Sequence, residues 1–582
     1  MASQDILPPS QNGFRESYRT ANCPVILRCM IDRCRADGDT VFLAFMDLTN
    51  AFPSTDRSTL WRKLYNHDAR GPMLDWVRML YDRMEYAVAT GANAAECSER
   101  FQSMWGILAG DSASPGLFNF FISDFRPPPQ KWDIIVHRKP ISHLEQADDI
   151  ALAARNHPPA LQTLISYLHA TWCATNFQTV NAKKSECMVM GVLPNPLPNF
   201  YVGNTILKIV DCFKYVGVTF TSTERCIFAQ HYRQQASSAR NSAYAILATL
   251  SLSGSFAIHE TITFYMARVD PLLIFGCEAA IDVDMGLLAM LEDVQTMFLR
   301  RLLGLGNRSI RAPLFTETGV MPIRHRRLIL AIKYLAYAVS LPESHYVKCA
   351  FNDSVNLWMA GKPCWLGDLQ YALNALPHAI AFLPTRQLDA TLFRALAEDV
   401  KSSCIFSLYT EITQSDKTVW LRLDTTTHMP TRLRPNPILA TIRIPAHRTA
   451  LMRLITSSHC LAIERLRWTE RYRWRVPRAE RICRFCADAV EDEVHAMFQC
   501  PAQNDLSHER DRFWDTVAHV APDVYAKYRM GDKALFLHAA LKTVSVLPAL
   551  AALSFKVLRF FDLYEPRVPP QYRRPTVNNT GV

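Results

Sequence analysis

Two acidic stations, each beside an apolar run with strand character, constrain the fold of this chain most. In the first, the run Val41–Met46 reads as a strand and delivers Asp47 at its C-terminal end. In the second, Asp148 and Asp149 stand between two short β-like runs, the pattern of a hairpin with acids at its tip. Side chains alternate along a strand, so one member of the adjacent pair can share a cleft with Asp47. Taken singly, an Asp after a strand is commonly a turn or cap residue. Taken together, carboxylates from different strands can hold two divalent cations about 4 Å apart, which activate an attacking hydroxyl and stabilise a leaving pyrophosphate. Oxygen ligands favour Mg²⁺, which also holds substrate phosphates. Glu145 is a further acid nearby with no metal assigned to it.

The surroundings of both stations read as alternating strands and helices. A helix is expected from about Thr55, capped by Ser54 or Thr55, with Leu60, Trp61 and Leu64 on its apolar face. Between the stations, Gly110 and Gly116 let the backbone approach a ligand, and Pro115 fixes a turn before a helix near Leu117. A second helix is expected over 161–174 and a strand over 213–220 with Gly217 inside it. Lys183 and Lys184 form a basic turn that can face phosphate or simply water. Residues 285–299 carry apolar positions at helical spacing, with Asp284 as the cap.

Composition narrows the class. An apolar fraction of 49% excludes a wholly disordered chain, and a net charge of +10 permits a polyanionic partner without requiring one. The N-terminus lacks the basic flank and apolar stretch of a secretory signal. The apolar stretches 328–339 and 534–560 are interrupted by Lys333, His538, Lys542, Pro548 and Lys556, so buried helices rather than membrane spans are expected. Sixteen cysteines in 582 residues are too sparse for a disulfide scaffold.

The C-terminal part holds the most specific spacing. Cys483-x₂-Cys486-x₈-His495-x₄-Cys500 supplies four soft ligands, as a closed structural zinc site needs. From just upstream into this cluster, Arg465, Arg467, Arg471, Arg473, Arg475, Arg478, Arg481 and Arg484 are interleaved with Trp468, Tyr472 and Trp474. Arginine forks pair with phosphates and aromatic rings stack on unpaired bases. The other reading is a solvated basic face.

The order FMDLTNAFPSTDRSTLW, GILAGDSASPGLFN, QADDIAL, NAKKSECMVMG and FKYVGVTF resembles the reverse transcriptase of a non-LTR (LINE-type) retrotransposon, fungal-like and N-terminally truncated. The resemblance implies an α+β right-hand polymerase palm, an antiparallel sheet with helices and incomplete fingers. A mostly helical thumb and connection and a small zinc-binding module follow. It implies catalysis by two Mg²⁺ ions on Asp47, Asp148 and Asp149. Phe52 would lie beneath the incoming sugar, Gly110, Ser114 and Pro115 would support template and nucleotide, and Lys184 would approach the triphosphate. Phe213, Tyr215 and Gly217 would belong to the primer-gripping hairpin. The cysteine cluster resembles the Cys-Cys-His-Cys knuckle of these elements, with one structural Zn²⁺, and Arg465, Arg467, Trp468, Arg471, Arg473, Trp474 and Arg475 would contact nucleic acid. Implied partners are an RNA template, a DNA primer and dNTPs, with strand cleavage supplied by an endonuclease elsewhere. The implied setting is the nucleus, with a cytoplasmic RNA–protein phase and no membrane.

The chain departs from the pattern at Gln146, where an aromatic residue is usual, at Pro53, and at Ala109, Ser112 and Ala113. Only 46 residues precede Asp47, so incomplete fingers are expected. A catalytically inactive relic that binds nucleic acid, and a zinc-dependent interaction module, are the alternatives. The expected division is 1–20 a flexible remnant, 21–222 palm with partial fingers, 223–330 thumb-like and 331–430 connection. Residues 431–530 would hold the arginine segment and knuckle, 531–564 a helical segment, and 565–582 a disordered tail.

Overall fold

The computed structural model describes residues 6–89, 97–253, 256–383, 388–422, 433–502 and 504–574. The chain is a mix of helix and sheet and divides into two compact units. The first comprises 1–234, 275–288 and 327–400; the second comprises 235–274, 289–326 and 401–582.

The first unit is organised by a five-stranded sheet. Its strands are β1 (Val41–Met46), β2 (His143–Gln146), β3 (Asp149–Arg155), β4 (Glu186–Met190) and β5 (Lys208–Ile209), in the spatial order β5-β4-β1-β3-β2. All pairings are antiparallel except the short β5–β4 contact. β1 is central: Met46 pairs with Ile150 on one side and Phe45 with Glu186 on the other. Every residue of β1 is buried, which explains its unbroken apolar run. Phe42, Ala44 and Met46 belong to a core with Ile150, Leu152, Phe118, Phe121, Leu161 and Leu164. Phe45, on the opposite face, stacks on Phe213 with centroids 4.0 Å apart.

Local chemistry adjusts several expected elements. Helix α2 (Arg57–Asn66) is capped by Asp56, not by Ser54 or Thr55, because the Asp56 carboxylate accepts from Thr59 N at 2.7 Å. Helix α3 (Ser114–Ile122) starts at Ser114, with Pro115 in its first turn where a missing N–H costs nothing. The segment expected as one helix over 161–174 is α4 (Pro158–Ser166), continued over Tyr167–Cys173 with π geometry. The expected strand over 213–220 is a hairpin of β6 (Cys212–Tyr215) and β7 (Val218–Thr221). Val216 and Gly217, at φ 45° and 82°, form its turn, the arrangement that matches strand twist in two-residue hairpins. Asp284 does cap the helix Met285–Leu303, accepting from Gly286 and Leu287 N at 2.9 and 3.1 Å.

The described residues near both ends are hydrogen-bonded into the fold. Ser10, Gln11 and Asn12 are buried along the edge of β2, bonded to Glu145 through both backbone and side chains. At the other end, Trp474 N donates to Tyr572 O and Arg574 N to Tyr472 O, at 2.8 and 2.9 Å. Residues 575–582 of the expected tail lie outside the described residues. Among the described residues, no helix is long and apolar enough to cross a membrane.

Buried ion pairs hold distant parts of the first unit together. Helix α1 (Asn22–Asp37) sends Arg33 to Asp353 in a two-pronged bond of 2.9 and 2.5 Å. Arg327, fully buried, meets Asp282 at 2.9 Å, and Tyr232 donates to the same carboxylate at 2.5 Å. Removing one member of a buried pair strands the other in low dielectric. Asp282→Ala should therefore lower stability by about 3–5 kcal/mol; a denaturant midpoint equal to wild type would remove Arg327–Asp282 from this role.

His231 gives a second expectation. It is buried, with Nε2 3.0 Å from Phe275 O. Burial lowers its pKa to about 4, the Phe275 carbonyl opposing and the charges of Arg327 and Lys214 adding. The unfolded chain binds a proton near 6.5 and the folded chain does not, so this contribution is intact above 6.5 and is lost as pH falls toward 4. His231→Gln should flatten the stability curve in that window by about 1.4 kcal/mol per pH unit, measured by urea titration across it.

Candidate functional site

The two acidic stations meet at one end of the sheet. β1 and β3 are paired up to Met46 and Ile150, so Asp47 and Asp149 are the next residues on neighbouring strands. β2 and β3 form the expected hairpin, with Gln146 opposite Asp149 and Ala147-Asp148 as its two-residue turn. Asp47 and Asp148 are half-buried and Asp149 is exposed. Desolvation raises the pKa of Asp148, and the charge of Asp47 raises it further. Asp149 is pushed up to about 6, first by desolvation and then by the charges of Asp148 and Asp47. These carboxylates repel one another, and a cation between them would offset that repulsion. Hard oxygen donors of this kind fit Mg²⁺.

The backbone of the first station is held by the basic turn before β4. Ser185 Oγ accepts from Asp47 N at 3.1 Å, and Asn181 N donates to Asp47 O at 2.8 Å. The turn read from sequence as a possible phosphate contact thus also anchors Asp47, with Lys183 and Lys184 exposed on it. The second station is held from below. Glu145, fully buried, accepts from Ser10 Oγ at 2.9 Å and from Gln11 Nε2 at 3.3 Å. This acid belongs to the scaffold. The sequence reading places Gln11 in a stretch resembling the end of the fingers and Asn181 and Ser185 in the basic turn, but it missed Ser10 and the anchoring role of all four; that signal is tertiary, because no spacing links residue 11 to residue 147.

The remaining expected residues fall into two groups. Phe52 is half-buried and stacked on Phe118, centroids 4.8 Å apart at 15°. Gly110 is exposed at φ 92°, in the left-handed region that favours glycine. Pro115 lies in the first turn of α3. Two expectations change. Ser114 is fully buried, its hydroxyl 3.0 Å from Tyr81 Oη and 3.3 Å from Asp111 Oδ2, so it secures the loop from within. Tyr215 is also buried, and its hydroxyl donates to Leu144 O at 3.4 Å, which ties the β6–β7 hairpin to β2 instead of facing a primer. Phe213 packs on Phe45, and a Cβ at Gly217 would lie 2.6 Å from the Phe275 ring.

In the second unit, the ligand atoms of Cys483, Cys486, His495 and Cys500 all lie within 4.8 Å of one another. Cys483 and Cys500 sulfurs are 3.8 Å apart, and Cys486 Sγ is 3.4 Å from His495 Nε2. A tetrahedron with metal–sulfur bonds of about 2.3 Å has edges of roughly 3.8 Å. The cluster could hold zinc. Burial raises the Cys483 thiol to about 12, against the N–H groups of Cys486 and Phe485. At Cys486 burial is outweighed by N–H groups of Ala489 and Asp488 and by the neighbouring thiols, so its pKa is lowered. Arg510 secures the same segment by donating to the carbonyls of Met497, Cys500 and Ala496 at 3.0, 2.6 and 2.9 Å.

The arginine segment divides by burial. Arg473 is buried and donates to the carbonyls of Trp468 and Arg465, so its fork is committed to the fold and not to phosphate. Arg467 pairs with Glu464 at 2.9 Å. Arg465, Arg471 and Arg475 are exposed beside exposed Trp468, Tyr472 and Trp474. Arg574 lies over the Trp474 ring, 3.8 Å from its centroid.

No protein-family model matches the chain. Over 230 residues it is 26% identical to the Retrovirus-related Pol polyprotein from type-2 retrotransposable element R2DM of Drosophila melanogaster. The match covers 37% of this chain and 21% of that relative. Among solved structures, telomerase from Candida albicans in complex with the TWJ fragment of telomeric RNA is 10% identical, with 65% of this chain and 52% of that chain covered at a TM-score of 0.23. That likeness is too distant to bear on the site. In the order of its motifs and in this match to a retrotransposon Pol polyprotein, the chain is similar to the non-LTR retrotransposon reverse transcriptases.

Proposed function

We propose that this chain is an RNA-directed DNA polymerase that extends a DNA primer along an RNA template. The observation that carries the proposal is the meeting of Asp47 with the Asp148-Asp149 turn, with raised carboxyl pKa values on that turn. Asp47, Asp148 and Asp149 would hold two Mg²⁺ ions, which supply activation of the primer 3′-hydroxyl and neutralise charge on the departing pyrophosphate. The residues themselves contribute placement. The half-buried Phe52 ring, fixed by Phe118, offers a flat platform for the deoxyribose. Gly110 gives the backbone room to approach template and nucleotide, and exposed Lys184 supplies positive charge for the triphosphate.

In this reading the sheet and its helices are the palm of a right-handed polymerase, and 223–330 and 331–430 are thumb-like and connection regions. Exposed Arg465, Arg471 and Arg475 would meet phosphates while Trp468 and Trp474 stack on bases. Cys483, Cys486, His495 and Cys500 would hold one structural Zn²⁺. The nucleus, where target DNA lies, is the proposed place of action.

A second reading, an inactive nucleic-acid-binding relic, draws on Gln146. It stands where the family has an aromatic residue, and its side-chain oxygen is buried without a hydrogen-bond partner. Primer extension on a homopolymer RNA with Mg²⁺ or Mn²⁺ separates the two readings. Asp148→Ala should lower extension by about 10³-fold or more, with RNA affinity unchanged in filter binding; equal extension by wild type and variant would end the polymerase proposal. Elemental analysis should find one zinc per chain, and Cys486→Ser should both lower that content and expose Cys483 and Cys500 to thiol reagents. Full zinc content in the variant would exclude Cys486 as a ligand.

A further inference from the structure

We infer that Gln11 is a positioning residue for the acidic turn: it clamps the backbone on both sides of Ala147 and so sets the aim of the Asp148 carboxylate. For its chemical consequence this inference rests on the polymerase reading above; its geometry does not.

Ala147 is the residue immediately before Asp148, and it has φ 59°. A residue with a Cβ keeps that left-handed conformation only where its surroundings hold it. Gln11 provides those surroundings. Its Oε1 accepts from Ala147 N at 2.9 Å and from Gly13 N at 2.7 Å. Its Nε2 donates to Ala147 O and to Glu145 Oε2, both at 3.3 Å. One fully buried amide therefore uses both acceptor sites and both donors.

The clamp is itself anchored. Asn12 N donates to Glu145 O at 2.8 Å and Glu145 N to Ser10 O at 2.9 Å, so residues 10–12 run beside the outer edge of β2. Gly13 fits against the turn with no space to spare: a Cβ there would stand 2.4 Å from Ala147 N. Asn119 of α3 donates to Gly13 O at 2.8 Å. Residues 11–13 thus join the acidic turn to the helix that begins beside the Gly110–Pro115 loop.

The chemistry of the side chain is specific. Glutamate offers the acceptor but cannot donate to Ala147 O, and it brings a second charge to buried Glu145. Methionine fills the volume but leaves Ala147 N, Gly13 N and Ala147 O without this partner. A displacement of about 1 Å at a catalytic group can cost roughly 10²-fold in rate.

The experiment compares the full-length chain with Gln11→Met, Gly13→Ala and Asp148→Ala. Extension kinetics and hydrogen–deuterium exchange of the peptide spanning 143–150 are measured for each. Gln11→Met should lower kcat by ~10- to 100-fold with KM for dNTP little changed, and it should speed exchange in 143–150 while leaving 218–221 protected. If Gln11→Met does not fold, Gly13→Ala decides, because it crowds the turn without orphaning a buried polar group and should give the same split. Wild-type kcat and exchange in the folded variants would overturn the inference, as would faster exchange spread evenly over the sheet. A wild-type chain with no Asp148-dependent extension would overturn the polymerase reading instead, and local exchange at 143–150 would still decide the role of Gln11.

Discussion

Strand β1 is hydrogen-bonded along both edges and covered on both faces. A strand in that position cannot shift by one residue without moving all of its side chains to the wrong face. Asp47 is the first residue beyond its paired length, so the rigidity of β1 becomes the rigidity of one carboxylate. The partner acids come from the adjacent hairpin, whose register to β1 is set by the same ladder. The site is thus a consequence of sheet pairing: two chain segments about a hundred residues apart are locked in register, and their ends carry the charge.

The acids in this region have two different physical roles. Glu145 is fully buried, yet it has hydrogen bonds from Ser10 and Gln11, so its desolvation is compensated inside the fold. At Asp148 desolvation outweighs a hydrogen bond from its own backbone N–H, and at Asp149 desolvation and the charges of Asp148 and Asp47 act together, so both are raised. A cation placed beside carboxylates in this condition would favour their charged forms. Tyr215, Gln11 and Ser185 surround that place with neutral hydrogen bonds to backbone. They hold its shape without neutralising its charge.

The second unit applies a similar division to arginine. Arg473, Arg481 and Arg484 point inward and donate to the carbonyls of Trp468, Ile463 and Phe561, and Arg510 donates to that of Cys500 in the cysteine–histidine cluster. Arg484 also pairs with fully buried Glu491 at 2.5 Å. Arg465, Arg471 and Arg475 remain outside, beside exposed rings. A run that looks basic throughout in sequence therefore supplies both internal bracing of the backbone and an external face of positive charge and aromatic surface. Which arginine does which depends on whether a carbonyl lies within reach, a property of the folded backbone.

Much of this was legible before the structure. The span of β1, the acidic hairpin, the Asp284 cap and the four soft ligands follow from local rules: apolar runs, turn residues and ligand spacing act over a few positions and leave their mark in order along the chain. The β6–β7 turn at Val216-Gly217 was not readable from the apolar pattern, which a strand with an internal glycine and a tight hairpin share; the family resemblance alone implied a hairpin there. The burial of Ser114 and Tyr215, the commitment of Arg473, and the clamp of Gln11 on Ala147 were decided only by tertiary structure. Each depends on groups far apart in sequence coming within hydrogen-bond reach, and a hydrogen bond needs the positions of both partners, of which a sequence specifies only the chemistry.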